Sequence, residues 1–183
     1  MGTNGLRRIV IGFIFVVVIG SQLAWFVAYT QKFPTLNNTQ PIGEEEGARL
    51  IEYILMYRAD AIDYREYCPD LPVRMYRIQT IMGLDIRTIP IIANIEGGTV
   101  SKTMQRAKNL CGFAIDEKII VYQDWDYAIY KACELVRRTS TNDIKVLAQK
   151  WCPPNWEQWS ENFRVIYAWS LRQEAKERKK WQR

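Results

Sequence analysis

The sequence predicts a mainly helical α+β domain with one small β-hairpin, carried behind a single transmembrane helix. Three observations predict it. Residues 9–31 carry no charge and are mostly apolar. Segments with helical spacing of apolar residues follow one another from residue 44 onward. One stretch, 113–122, breaks that period with β-branched residues around Asp116-Glu117.

A bilayer core about 30 Å thick needs roughly 20 apolar residues, so residues 9–31 are long enough to span it. Arg7 and Arg8 precede the run, and only Lys32 follows before the acidic cluster Glu44, Glu45 and Glu46. Basic flanks stay cytoplasmic, which places residues 1–8 inside and the rest outside. A cleaved signal peptide needs a small-x-small site, and Gln22-Leu23-Ala24 and Phe26-Val27-Ala28 both put a large residue in the way. The expectation is an uncleaved anchor: lipid through 9–31, a Pro-bracketed linker over 32–43, a folded domain over 44–171 and a basic tail over 172–183. The localisation that follows is a single-pass membrane protein with an extracytoplasmic domain.

The chain has 183 residues, a net charge of +5 and no histidine. Without imidazole there is no Ser-His or Cys-His nucleophile pair and no His-ligated metal site. Cys68, Cys111, Cys133 and Cys152 form no CxxC pair, which leaves zinc and cofactors without support; they are read either as two disulfides or as buried thiols. Nucleic acid is no partner for an exported domain.

The first helix is predicted over 44–63, with three Glu in its opening turn and Ile51, Ile54, Leu55 and Ala59 on one face. Asp70 is placed as the cap of the second, with Pro72 in its first turn and Gly83 ending it. A third, apolar on every side, runs from Thr88 to Glu96 and belongs in the domain centre. A fourth spans 101–108. The hairpin turn lacks Gly or Asn, which weakens its signature. Asp124 caps a helix striped by Ile129, Ala132, Cys133 and Val136, and Ile144, Leu147, Ala148 and Trp151 mark another. Asn155 opens the last helix, whose inner face is Trp156, Trp159, Phe163, Ile166 and Tyr167, so these Trp are read as packing. Trp125, near the hairpin, is read as a platform for a sugar ring.

The chemistry concentrates at Glu96. A carboxyl at the C-terminal end of an apolar helix faces the negative end of the helix dipole and is partly desolvated, and both effects keep its proton on. A glycosidase acid needs that property. Gly97 and Gly98 are expected to leave room for a substrate ring. The alternative is a surface Glu before an ordinary glycine cap.

The run Gly83-Leu-Asp-Ile-Arg-Thr-Ile-Pro-Ile-Ile-Ala-Asn-Ile-Glu-Gly-Gly98 resembles the catalytic-helix segment of the bacterial β-N-acetylglucosaminidase family, which includes the flagellar muramidase-like domain and many autolysins. Asn109-Leu110-Cys111-Gly112-Phe113 is similar to its Asn-Asn-Leu-Phe-Gly-Ile block. Ile120-Val-Tyr-Gln-Asp-Trp-Asp-Tyr-Ala-Ile129 and Leu147-Ala-Gln-Lys-Trp-Cys-Pro-Pro154 resemble later pieces in the same order. The resemblance implies a lysozyme-like fold and hydrolysis of a β-1,4 bond between N-acetylated amino sugars of peptidoglycan. Glu96 is then the general acid, Asp116 or Glu117 the second carboxylate, and Gly97, Gly98, Asn109, Tyr122, Trp125 and Tyr127 the substrate-binding residues. Retaining, inverting and substrate-assisted routes all stay open. Lys131-Ala132 stands where the family often has Asp-Tyr. That departure leaves Tyr122, Tyr127 or Tyr130 to place the sugar, or else makes the domain a non-catalytic scaffold that binds glycan or a partner in an envelope or virion complex.

Overall fold

The computed structural model describes residues 42–139 and 143–181. The expected transmembrane helix, the cytoplasmic N-terminus and nearly all of the linker lie outside them. Among the described residues no helix is long and apolar enough to cross a membrane.

Among the described residues, seven helices and one two-stranded antiparallel hairpin make up the domain. In order they are α1 (Glu44–Leu55), a 3-10 turn (Tyr64–Glu66), α2 (Leu71–Ile81), α3 (Thr88–Ile95), α4 (Lys102–Arg106), β1 (Ala114–Ile115), β2 (Lys118–Ile119), α5 (Trp125–Arg138), α6 (Ile144–Trp151), a 3-10 turn (Pro153–Asn155) and α7 (Trp156–Trp181). α3 is the central element, packed by α1, α2, α5 and α7. Its residues Ile91, Ile92 and Ala93 are wholly buried, as an all-round apolar helix requires.

α1 stops eight residues short of its expected end. Tyr57 N–H closes a tight turn on the Ile54 carbonyl, and the Arg58 guanidinium then grips Asp60 through Nε (2.9 Å) and Nη2 (2.8 Å). Residues two apart do not face each other on a helix, so this clasp belongs to a turn. Ala59 is exposed as a result. Asp70 does not cap α2 through its side chain. Its carboxylate pairs instead with Arg74 at 2.9 Å and accepts from the Cys68 thiol at 3.2 Å. Gly83 does end that helix, in the left-handed region at φ 68°.

The hairpin pairs Ala114 with Ile119 and Ile115 with Lys118. Its two-residue turn puts both Asp116 (φ 48°) and Glu117 (φ 63°) in the left-handed region, the geometry that normally selects Asn-Gly. A clamp from outside the hairpin supports this unfavourable turn. Asn109 Nδ2 donates to the carbonyls of Phe113 (2.7 Å) and Ile120 (2.9 Å), while its Oδ1 accepts from Phe113 N–H (3.0 Å).

α7 continues without a break past residue 171, where a basic tail was expected. Glu174 on this extension pairs with Arg87, which itself donates to Asp85 at 2.9 Å. Tyr167 Oη–H donates to the same carboxylate at 2.9 Å. Asp85 is fully buried and Arg87 nearly so, so this cluster ties the far half of α7 onto the start of α3. All four cysteines are free thiols; burial pushes the Cys68 and Cys133 thiols up to about 12.

Candidate active site

Glu96 is the residue at which α3 ends. Gly97 follows at φ 76°. Its N–H bonds the Asn94 carbonyl (3.3 Å), and Gly98 N–H bonds the Ala93 carbonyl (2.9 Å). These two crossed bonds, with glycine in the left-handed position, cap the helix and turn the chain sharply. The turn fixes where the Glu96 side chain leaves the backbone.

The second glycine serves folding, and the expected space for a sugar is absent there. A Cβ on Gly98 would lie 2.0 Å from the Leu110 carbonyl oxygen and 2.5 Å from its Cα. Gly98 is buried because the 109–112 loop crosses directly over it. That close crossing brings Gly112 to the Glu96 carboxyl: a Cβ on Gly112 would stand 3.4 Å from Glu96 Oε2.

Glu96 itself is half-buried. Its Oε1 accepts a hydrogen bond from Trp159 Nε1–H at 2.7 Å. Its Oε2 has no hydrogen-bond partner among the described residues and lies against Gly112. Burial raises the carboxyl above the ordinary glutamate range, and the indole N–H partly opposes that shift. The direction agrees with the expectation drawn from helix-end placement.

Trp159 was expected only as packing, and it has a second role. It sits in a row of rings: Phe113, Trp151, Trp159, Phe163 and Tyr167, with neighbouring centroids 5.4, 6.3, 5.8 and 6.2 Å apart. A buried indole needs an acceptor for its N–H, and that need was the signal in the sequence. Its partner, 63 residues away, carried none.

The remaining candidates divide. Asp116 and Glu117 are exposed at the hairpin tip, and neither is a hydrogen-bond partner of Glu96. Asn109 is nearly fully buried, with both sides of its amide committed to the hairpin clamp, so it binds backbone and no substrate. Trp125 is buried at the start of α5, which removes it as a sugar platform. With Tyr122, Leu110 and Ile129 it lines a cavity of about 10 Å³, near the threshold for one water. Tyr122 meets Tyr127 edge-on at 6.0 Å, and burial raises its phenol above the usual range, with Cys111 adding to the shift. Tyr127 is half-exposed, with the Lys131 ammonium 5.4 Å from its ring centre. Tyr122 and Tyr127 thus stay together beside the loop that carries Gly112.

The structure adds a cleft that the sequence had not marked. It has a volume of about 230 Å³ and lies among Tyr57, Arg58, Asn94, Ile95, Asn162, Val165 and Ile166, and Glu96 is not part of its lining. Ile95 directly precedes Glu96, and Asn162 follows Trp159 by one turn of α7. Among the described residues no group of acidic or cysteine side chains is placed to hold a metal ion. In comparisons with protein families, curated proteins and solved structures, nothing matches this chain.

Proposed function

We propose that the chain is a membrane-anchored peptidoglycan glycosidase whose lysozyme-like domain, outside the cytoplasmic membrane, cleaves a β-1,4 bond between N-acetylated amino sugars. The observation that carries this is the Glu96 carboxyl. It is half-buried, biased toward its protonated form, held by one oxygen and without a hydrogen-bond partner at the other among the described residues. Protonated Glu96 gives its proton to the glycosidic oxygen as the bond to the anomeric carbon breaks. The carboxylate left behind keeps the Trp159 N–H bond, and it then takes a proton from the water that completes hydrolysis.

Of the three routes, assistance by the substrate's own acetamido oxygen fits best. It needs no second protein carboxylate, and neither Asp116 nor Glu117 partners Glu96. The test is release of soluble fragments from purified sacculi: the wild-type chain releases them and Glu96→Gln does not. Equal release by both forms overturns the assignment of Glu96.

A second reading has its own observation. Lys131, at the position where the resembling family often carries its Asp-Tyr pair, is turned onto Tyr127 and Glu134. A glycan-binding scaffold in an envelope complex would bind sacculi equally well after Glu96→Ala and show no turnover at any pH.

A further inference from the structure

We infer that the exposed stripe along the far half of α7 docks on an anionic phospholipid surface. The inference rests on the anchored reading above and is independent of the chemistry at Glu96. Ala168, Leu171, Arg172, Ala175, Lys176 and Lys179 are exposed, and their spacing of three and four residues sets them along one side of the helix. The opposite side carries Trp159 to Glu96, Tyr167 to Asp85 and Glu174 to Arg87. No acid falls within the stripe, and Glu177, on the other side, is half-buried and engaged. The salt bridges of this part of α7 run through Glu174 and Arg178. Arg172, Lys176 and Lys179 have no ionic partner among the described residues.

The make-up of the stripe selects a membrane over other anions. Its cations suit any polyanion, but Leu171, 44% exposed, and the two alanines form an apolar edge beside them. Lipid headgroups take the cations and the acyl boundary beneath takes the apolar edge, the division that interfacial helices use. A soluble polyanion offers nothing to the leucine. Placement agrees with composition. Arg178 reaches Glu46 in the first turn of α1 at 3.7 Å, so the end of α7 lies beside the point where the linker runs into the domain. Fully extended, the linker over 32–43 reaches roughly 40 Å, so an anchored chain keeps the stripe at a high local concentration of headgroups. Each basic side chain at an anionic surface then tightens the contact roughly fivefold. Docking on this side of α7 leaves the side that holds Glu96 turned away from the bilayer.

The test uses the full chain reconstituted in vesicles of phosphatidylcholine alone or of an equal mixture with phosphatidylglycerol. A membrane-impermeant acetylating reagent is added, and lysine modification is read by mass spectrometry against the exposed Lys118 and Lys150. Chains facing the lumen drop out of that ratio. The expected result is modification of Lys176 and Lys179 slowed roughly fivefold or more on the mixed vesicles, not on the neutral ones, with the protection lost in high salt. Leu171→Gln combined with Arg172→Gln should cut the protection below about twofold, with an unchanged melting temperature as the control for folding. Equal modification of all four lysines on mixed vesicles, or equal protection on both kinds, overturns the inference. So does protection by soluble polyphosphate on neutral vesicles that survives Leu171→Gln, which gives the stripe to an anionic polymer. The two readings fail separately, because flotation with neutral vesicles after an alkaline wash reports the anchor. A chain that floats and shows no protection loses only the stripe. A chain washed from neutral vesicles that still binds mixed ones, reversibly in salt, loses the anchor and keeps the stripe.

Discussion

Replacing Trp159 with Phe tests how the Glu96 carboxyl is governed. The ring still fills its place between Trp151 and Phe163, and only the 2.7 Å N–H bond to Oε1 is lost. A hydrogen bond to a charged group contributes about 1.5–3 kcal/mol and one to a neutral group about 0.5–1.5 kcal/mol. The ionised carboxyl therefore loses about 1 kcal/mol more than the protonated one, an upper figure because Glu96 is partly exposed. Burial already holds this group above its ordinary range, and the substitution moves it further up. A weaker acid also gives its proton less readily, so the rate at the optimum should fall, by up to roughly fivefold if all of that about 1 kcal/mol reaches the barrier. The assay is sacculus hydrolysis across pH. The limb on which activity is lost with rising pH should shift upward, and a carbon-13 carboxyl titration of Glu96 should shift with it. A limb that stays in place or moves down, in a protein with unchanged circular dichroism, refutes the reasoning.

Glu96→Gln should stabilise the protein as pH rises. A carboxyl raised on folding binds more protons in the folded state than in the unfolded one. Stability is therefore lost from about pH 4.3, the unfolded value, up through the folded pKa. The melting temperature of Glu96→Gln relative to wild type should climb between pH 4 and 7, and a flat difference would refute the burial argument. Arg87→Ala leaves the fully buried Asp85 carboxylate without its cation and should cost about 3–5 kcal/mol in urea denaturation. Asn109→Ala removes three bonds to the hairpin and should cost roughly 1–3 kcal/mol. Hydrogen exchange should then quicken at the amides of 113–120 before it does elsewhere. Gly98→Ala drives a methyl into the Leu110 carbonyl and should leave little folded protein, as judged by circular dichroism after purification.

What the sequence revealed was local. α3 and α5 were legible because their apolar spacing and their neighbours in sequence settle them: Asp124 Oδ1 does accept from Tyr127 N–H at 2.7 Å. The mainly helical architecture with one hairpin followed from the same signals. Whatever depends on a distant partner was hidden. The Asp116-Glu117 turn lacks the residues such turns favour, and the clamp that holds it comes from Asn109. The tail looked like a solvated charge run because Glu174 gives no sign of Arg87, which lies 87 residues earlier. Gly98 was read toward a substrate when its open side is filled by Leu110. Glu96 was legible as a residue with a raised pKa, while its indole donor required the packing of α3 against α7.

That packing explains how a site of this kind is held still. α7 meets α3 at both ends: Tyr167 reaches Asp85 just before α3 begins, and Trp159 reaches Glu96 just where it finishes. Tyr167 follows Trp159 in the chain while its partner Asp85 precedes Glu96, so the two helices run antiparallel. Two opposed influences then act on one carboxyl: the C-terminus of α3 disfavours its charge, while the Trp159 N–H favours it. Burial raises its pKa against that bond, yet the indole remains to hold the carboxylate once the proton has gone. A general acid needs both properties, because the same group must donate and then survive as an anion until water restores it. A surface glutamate before a glycine cap has neither the desolvation that keeps its proton nor the fixed donor that receives its charge.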